Sequence, residues 1–121
     1  MTLWHYTCDH GRAALGESGR VIPAHRITDR ATAPTGRYAW FTDLGTPVRE
    51  ALGLTMNLTT CDRTAHRYRV TDEASVVPWM EVRRDFPADW REGLEGIPGA
   101  RPRHWWVAVG PVPVVLDERP G

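Results

Sequence analysis

The chain contains no lysine. All fifteen of its basic residues are arginine, and fifteen Asp and Glu balance them to a formal net charge of +0. That balance excludes the strong non-specific attraction to nucleic acid or acidic membranes that a basic protein has. Arginine suits planar, bidentate recognition of phosphate and carboxylate, although genome base composition is the simpler source of the bias. Cysteine is scarce too, with only Cys8 and Cys61. Two cysteines do not make a disulfide framework, and the expectation is reduced, partly buried thiols in a cytoplasmic protein. No apolar run reaches membrane-spanning length. The N-terminus lacks the basic-then-apolar pattern of a secretory signal, so no membrane association is expected. Apolar residues make up only 41% of the chain, and six tryptophans partly compensate, because each can bury a large area. A length of 121 residues supports one domain, 1–121, whose core needs no staples.

The first twenty-three residues carry the most information. Leu3 to Thr7 alternates as a strand, with His5 and Thr7 on one face and Trp4 and Tyr6 on the other. A polar pair on one face of an apolar strand is explained by a ligand lying across it. Asp9 can cap a helix over about Gly11 to Glu17, which Gly16 and Gly19 end. Val21 to Pro23 is extended, and Ala24 to Gly36 is a long loop. Arg37 to Thr42 is a second clear strand. Thr46-Pro47 starts a helix reaching about Leu52. His66 to Val70 alternates as a strand whose arginines face water and discourage edge pairing. Val76 to Val82 is a further strand near an edge, Pro87 to Leu94 a short helix, and His104 to Val109 and Val112 to Leu116 two late strands. The sum is an α+β domain of short strands, short helices and long connections.

His5-Tyr6-Thr7, the short helix and Gly19-Arg20-Val21-Ile22-Pro23 together resemble the opening of the ADP-ribosyltransferase superfamily. The look-alikes are the DarT-type DNA ADP-ribosyltransferases and the tRNA 2′-phosphotransferases. Trp40-Phe41-Thr42-Asp43 followed by Pro47-Val48-Arg49 is similar to the aromatic strand and proline-arginine segment of the DarT type. The resemblance covers roughly residues 3 to 54. It implies split antiparallel β-sheets with a few short helices and NAD in the cleft between them. His5 and Thr7 would bond ribose hydroxyls of NAD. Tyr38, Trp40 or Phe41 would cover the nicotinamide, with Thr42 on the same cofactor-binding strand. Arg49 would hold the pyrophosphate or position the target. Arginine, short polar side chains and aromatic faces match a dinucleotide's phosphates, hydroxyls and flat rings.

The implied reaction breaks the nicotinamide–ribose bond through an oxocarbenium-like transition state, as in glycoside hydrolysis. A carboxylate near the sugar stabilises that charge, and superfamily members that transfer ADP-ribose place a glutamate on a late strand. The late strand here, Arg103 to Val109, has no acid. Glu81, on the Val76 to Val82 segment, is the only strand-borne glutamate and so the catalytic candidate. His104, flanked by Arg101 and Arg103, keeps the phosphotransferase branch open. Trp40 and Phe41 are chain neighbours on a strand, so only one of them is expected to line a cleft. His5, Cys8, His10, Cys61 and His66 offer thiolate and imidazole, but their spacing matches no standard zinc motif, and no metal is expected. Three functions follow: an NAD-dependent ADP-ribosyltransferase-like enzyme acting on DNA, RNA or protein; a nucleotide- or nucleic-acid-binding module on the same fold that has lost turnover; or a nucleic-acid module unrelated to NAD that uses arginines and exposed tryptophans.

Overall fold

The computed structural model of the chain describes residues 1–27, 34–46, 52 and 64–117. Seven strands follow one another as β1 (Trp4–Thr7), β2 (Arg20–Val21), β3 (Ala39–Thr42), β4 (His66–Val70), β5 (Val77–Pro78), β6 (Trp105–Ala108) and β7 (Val112–Leu116). Among the described residues four helices, α1 (Asp9–Ser18), α2 (Ala24–Ile27), α3 (Trp79–Val82) and α4 (Ala88–Glu95), decorate them. The sheet order is β2-β7-β4-β1-β3-β6-β5, and every pairing is antiparallel. The α+β expectation holds.

The pairing along this order is uneven. β1 pairs with β4 at four positions, from Trp4 opposite Arg69 to Thr7 opposite His66. β3 pairs with β6 at four positions, from Ala39 opposite Ala108 to Thr42 opposite Trp105. Between β1 and β3, among the described residues, a single pair is in register, Trp4 opposite Thr42. The sheet is therefore two antiparallel halves joined at one end and parted at the other. The joined end is held by side chains from β1 and β4. The Tyr6 hydroxyl donates to the Leu44 carbonyl at 2.9 Å. Arg67 donates to the Gly45 and Asp117 carbonyls, both at 2.8 Å, and its guanidinium lies 4.0 Å from the centre of the Trp4 ring. Arg67 is buried. This corrects the expectation of water-facing arginines on an edge strand, because β4 lies inside the sheet between β7 and β1, and an interior strand buries alternate side chains on both faces. Only Arg69 behaves as expected, exposed beside Asp117.

Strand alternation sorts the core into two clusters. One is aliphatic, with Leu3, Leu15, Val21, Val70, Val112 and Val114 packed around Phe41 and Tyr68. The other is aromatic, with Tyr38, Trp79, Phe86 and Trp105 around Val107, and Trp40 against it. Trp40 and Phe41 thus go to opposite clusters, as their adjacency requires.

Several local expectations change. Helix α1 begins at Asp9, with Cys8 rather than Asp9 at the cap position and no side-chain cap; Asp9 instead accepts from, or pairs with, the His66 imidazole. Gly16 lies inside the helix, and Gly19 alone ends it. The left-handed φ of 67° at Gly19 lets its N–H close on the Leu15 carbonyl, a conformation glycine adopts without steric cost. The segment expected as a loop after Pro23 contains helix α2 and a 3-10 turn, Pro34–Arg37. The expected strand over Val76 to Val82 stops after two residues. Pro78 lacks the N–H a longer ladder needs, and the chain turns into α3 at Trp79, whose indole donates to Glu95 at 2.7 Å. The expected helix over Pro47 to Leu52 lies, apart from Leu52, outside the described residues.

Candidate functional site

A cavity of about 640 Å³ opens where β1 and β3 part, within the size range of small-molecule sites. Its walls come from both halves of the sheet. β1 supplies Trp4 through Thr7, β3 supplies Ala39 through Thr42, and Cys8 and Gly11 at the start of α1 close one side. Trp90 and Leu94 of α4, with Trp105 of β6, close another. Among the described residues none of the lining side chains is Asp, Glu or Arg.

His5 occupies the gap itself. Its Nδ1 lies 2.8 Å from the Trp40 carbonyl oxygen, and its ring packs on Phe41 with centroids 5.7 Å apart. A carbonyl only accepts, so Nδ1 carries the proton. Burial holds the imidazole below its ordinary value, outweighing the bond to Trp40, which acts in the opposite direction. The ring is therefore neutral at pH 7, and Nε2 carries a lone pair. That atom accepts a hydrogen bond from a hydroxyl or amide. The bond to Trp40 does a second job, giving a partner to a β3 carbonyl where β1 has moved away; unpaired, it would cost about 1–3 kcal/mol.

Thr7 lies at the end of β1, partly buried. Its position depends on Gly11. A Cβ placed on Gly11 would sit 1.9 Å from the Thr7 Oγ1 and 3.0 Å from its Cβ. No threonine rotamer relieves both contacts, because the second is to the branch point itself. The Thr7-x-x-x-Gly11 spacing is thus a packing requirement that brings α1 against the end of β1 and points the polar face of that strand into the cavity.

The aromatic candidates divide by how firmly they are held. The Trp40 indole donates to the Thr35 carbonyl at 2.8 Å and meets Tyr38 and Trp105 edge-on and Trp79 at a tilt. Tyr38 and Phe41 are buried in the aromatic and aliphatic clusters, and both also reach the cavity wall. The expectation that only one of Trp40 and Phe41 lines the cleft is corrected. Because β1 has left β3, the edge of β3 is open, and residues from both of its faces border the same space. Thr42 is buried, and its hydroxyl accepts the Leu44 N–H at 3.1 Å, which closes the turn after β3 at the joined end.

The remaining candidates do not converge on the cavity. Glu81 is on helix α3, not on a strand; it is exposed and is not part of the lining. The turn at Pro78 is the reason, since it removes the residues after it from the sheet. Arg49 lies outside the described residues. His104 is in a 3-10 turn before β6, where its Nδ1 donates to Asp43 at 2.6 Å while Trp106 donates to the other carboxylate oxygen at 3.3 Å; neither His104 nor Asp43 lines the cavity. Cys8 is disulfide-bonded, which corrects the expectation of reduced thiols. The chain's other cysteine, Cys61, lies outside the described residues. A disulfide sulfur is not a thiolate, and among the described residues no three His, Cys, Asp or Glu gather as metal ligands. No helix of the described residues is long and apolar enough to cross a membrane.

Sequence reasoning missed Gly11, Trp90 and Leu94 as wall residues. Trp90 and Leu94 are four apart on a helix, which places them on one face, and that spacing was the available signal. The Gly11 signal, a glycine four residues after Thr7 inside a helix, was equally present. No known protein-family model, curated protein or solved structure matches the chain.

Proposed function

We propose that this chain is an ADP-ribosyltransferase-like domain that takes NAD into the cleft between β1 and β3 and breaks its nicotinamide–ribose bond. The observation that carries the reading is the neutral His5 imidazole, fixed by the Trp40 carbonyl at the point where the sheet divides, with Thr7 two residues on and aromatic walls on either side. His5 Nε2 accepts from one ribose hydroxyl and Thr7 Oγ1 bonds another. Trp40, locked by Thr35, offers a flat face to the nicotinamide. The lining fits the ribose and the rings of NAD. The pyrophosphate needs cations from outside that lining; Arg37, exposed between the wall residues Gly36 and Tyr38, is the described arginine flanked by the wall on both sides, while Arg12, Arg20 and Arg91 each adjoin one wall residue. The acceptor of the ADP-ribosyl group is a macromolecule.

Turnover asks for a group that stabilises an oxocarbenium-like sugar. The lack of an acid among the described lining residues favours a second reading, in which the cleft binds the dinucleotide without cleaving it. Disulfides persist in oxidising compartments and are uncommon in a reduced cytoplasm, so cytoplasmic residence loses the reduced thiols it was argued from. Nicotinamide release from NAD, followed by chromatography with wild type and His5→Ala, separates the two readings. Release by wild type that His5→Ala abolishes supports the enzyme. Thermal stabilisation by NAD with no release supports the binder. Neither stabilisation nor release overturns both.

A further inference from the structure

Trp90 stands apart from the other five tryptophans. Trp40, Trp79 and Trp105 sit in one mutually packed aromatic cluster. Trp4 is covered by the Arg67 guanidinium, and Trp106 donates to Asp43. Trp90 belongs to the cavity wall yet is 43% exposed, and none of the ring contacts among the described residues involves it. It is not simply turned to solvent. Leu94, one helical turn on, lines the same cavity and packs against the aromatic cluster, so this stripe of α4 faces the cleft. An indole that faces a concavity and meets no ring there is a wall waiting for a flat group.

We infer that Trp90 is the stacking platform for the adenine half of the dinucleotide, at the outer end of the cleft whose inner end holds the nicotinamide ribose at His5 and Thr7. The inference rests on the cleft reading above and adds to it the second ring of the ligand. Two features favour a tethered adenine over a base from a nucleic-acid strand. Trp90 shares one continuous cavity with His5, so a ligand anchored at His5 presents its second ring at high effective concentration. Helix α4 carries Asp89, Glu92 and Glu95 against Arg91, and Arg83 pairs with Glu95, which leaves the helix with one negative charge in excess. A strand of nucleic acid would bring a phosphate at every nucleotide past that helix, whereas the dinucleotide carries its two phosphates in one pyrophosphate between the riboses and presents adenine as an uncharged end.

The test is calorimetric titration of wild type, Trp90→Ala and Trp90→Phe with NAD, ADP-ribose, nicotinamide mononucleotide and a short single-stranded oligonucleotide. Stacking of a base on an aromatic side chain is worth about 1–3 kcal/mol. Trp90→Ala is therefore expected to weaken NAD and ADP-ribose about five- to 150-fold, to leave nicotinamide mononucleotide unchanged, and to be largely rescued by Trp90→Phe. Equal weakening of NAD and nicotinamide mononucleotide, no weakening of either, or a loss confined to the oligonucleotide overturns the assignment while the cleft reading stands. Wild type that binds none of the three nicotinamide- or adenine-containing ligands overturns the cleft reading and the assignment with it. Because Trp90 is a surface side chain, an unchanged melting temperature of Trp90→Ala without ligand keeps these outcomes free of unfolding.

Discussion

The aromatic cluster beneath α3 and the cleft between β1 and β3 are built from the same residue types and treat them in opposite ways. In the cluster every ring packs on another ring, and the Trp40 and Trp79 N–H groups have acceptors. Trp79 is fully buried, packs edge-on against Phe86 and Tyr38, and gives its N–H to Glu95, which Arg83 holds with two bonds at 2.8 and 2.6 Å. Those bonds, the Arg83 ones foremost, hold the Glu95 carboxyl below the usual range. In the cleft, among the described residues, His5 has a partner on Nδ1 and none on Nε2, and Trp90 meets no other ring. A saturated cluster stabilises the fold, while an unsaturated wall of the same chemistry is suited to a ligand. The difference arises because β1 and β3 separate after one pair, so the groups lining the gap lack the neighbours a continuous sheet would provide.

That contrast can be broken from either side. The largest effect is expected from Trp79→Ala, which empties a fully buried site and removes one of the three hydrogen bonds to Glu95. A loss of about 3–5 kcal/mol is expected in denaturant unfolding, with the unfolding slope unchanged. Gly11→Ala comes next. It drives a methyl into Thr7 and is expected to cost about 1–3 kcal/mol, the range for overpacking; in the same protein any NAD-induced rise in melting temperature should disappear. A Gly11→Ala protein that melts and responds as wild type does would show that Thr7 is not held as described.

Acid sharpens the comparison. Burial keeps the His5 pKa below its ordinary value, whereas in the unfolded chain it titrates near about 6.5. Between those two values the unfolded state holds the extra proton, so stability rises with pH there. His5 thus contributes fully above about pH 6.5 and loses its contribution as the pH falls below that toward its folded value. The melting temperature of wild type should drop more between pH 7.5 and pH 5.5 than that of His5→Gln, and identical profiles would contradict the neutral assignment. The smallest effect is expected from Tyr6→Phe, which removes the bond to the Leu44 carbonyl at the joined end and should cost about 1 kcal/mol, measured by the same unfolding titration.

The parts of this molecule legible in its sequence are those written in short-range pattern. The 2.0 period of Leu3 to Thr7 placed His5 and Thr7 on one face, and Gly19 marked the end of α1. Other parts depend on topology, which local pattern does not encode. The two arginines of His66 to Val70 suggest an edge strand until β4 is seen to lie between β7 and β1; only then does the buried Arg67 make sense. The Val76 to Val82 stretch has strand propensity, and Pro78 with the Trp79 to Glu95 bond overrides it, carrying Glu81 out of the sheet. Adjacency on a strand puts Trp40 and Phe41 on opposite faces, but a parted sheet lets both faces border one cavity. Gly11 reads only as the approximate start of a helix until Thr7 is found against it.

The most direct test of the account is the melting temperature of wild type and His5→Ala as NAD is raised to millimolar concentration. A ligand bound only by the folded state stabilises it by RT ln(1 + [L]/Kd), so wild type should melt progressively higher while His5→Ala, lacking the Nε2 acceptor at the divide, stays flat. A flat wild type, or two curves that rise together, would contradict it.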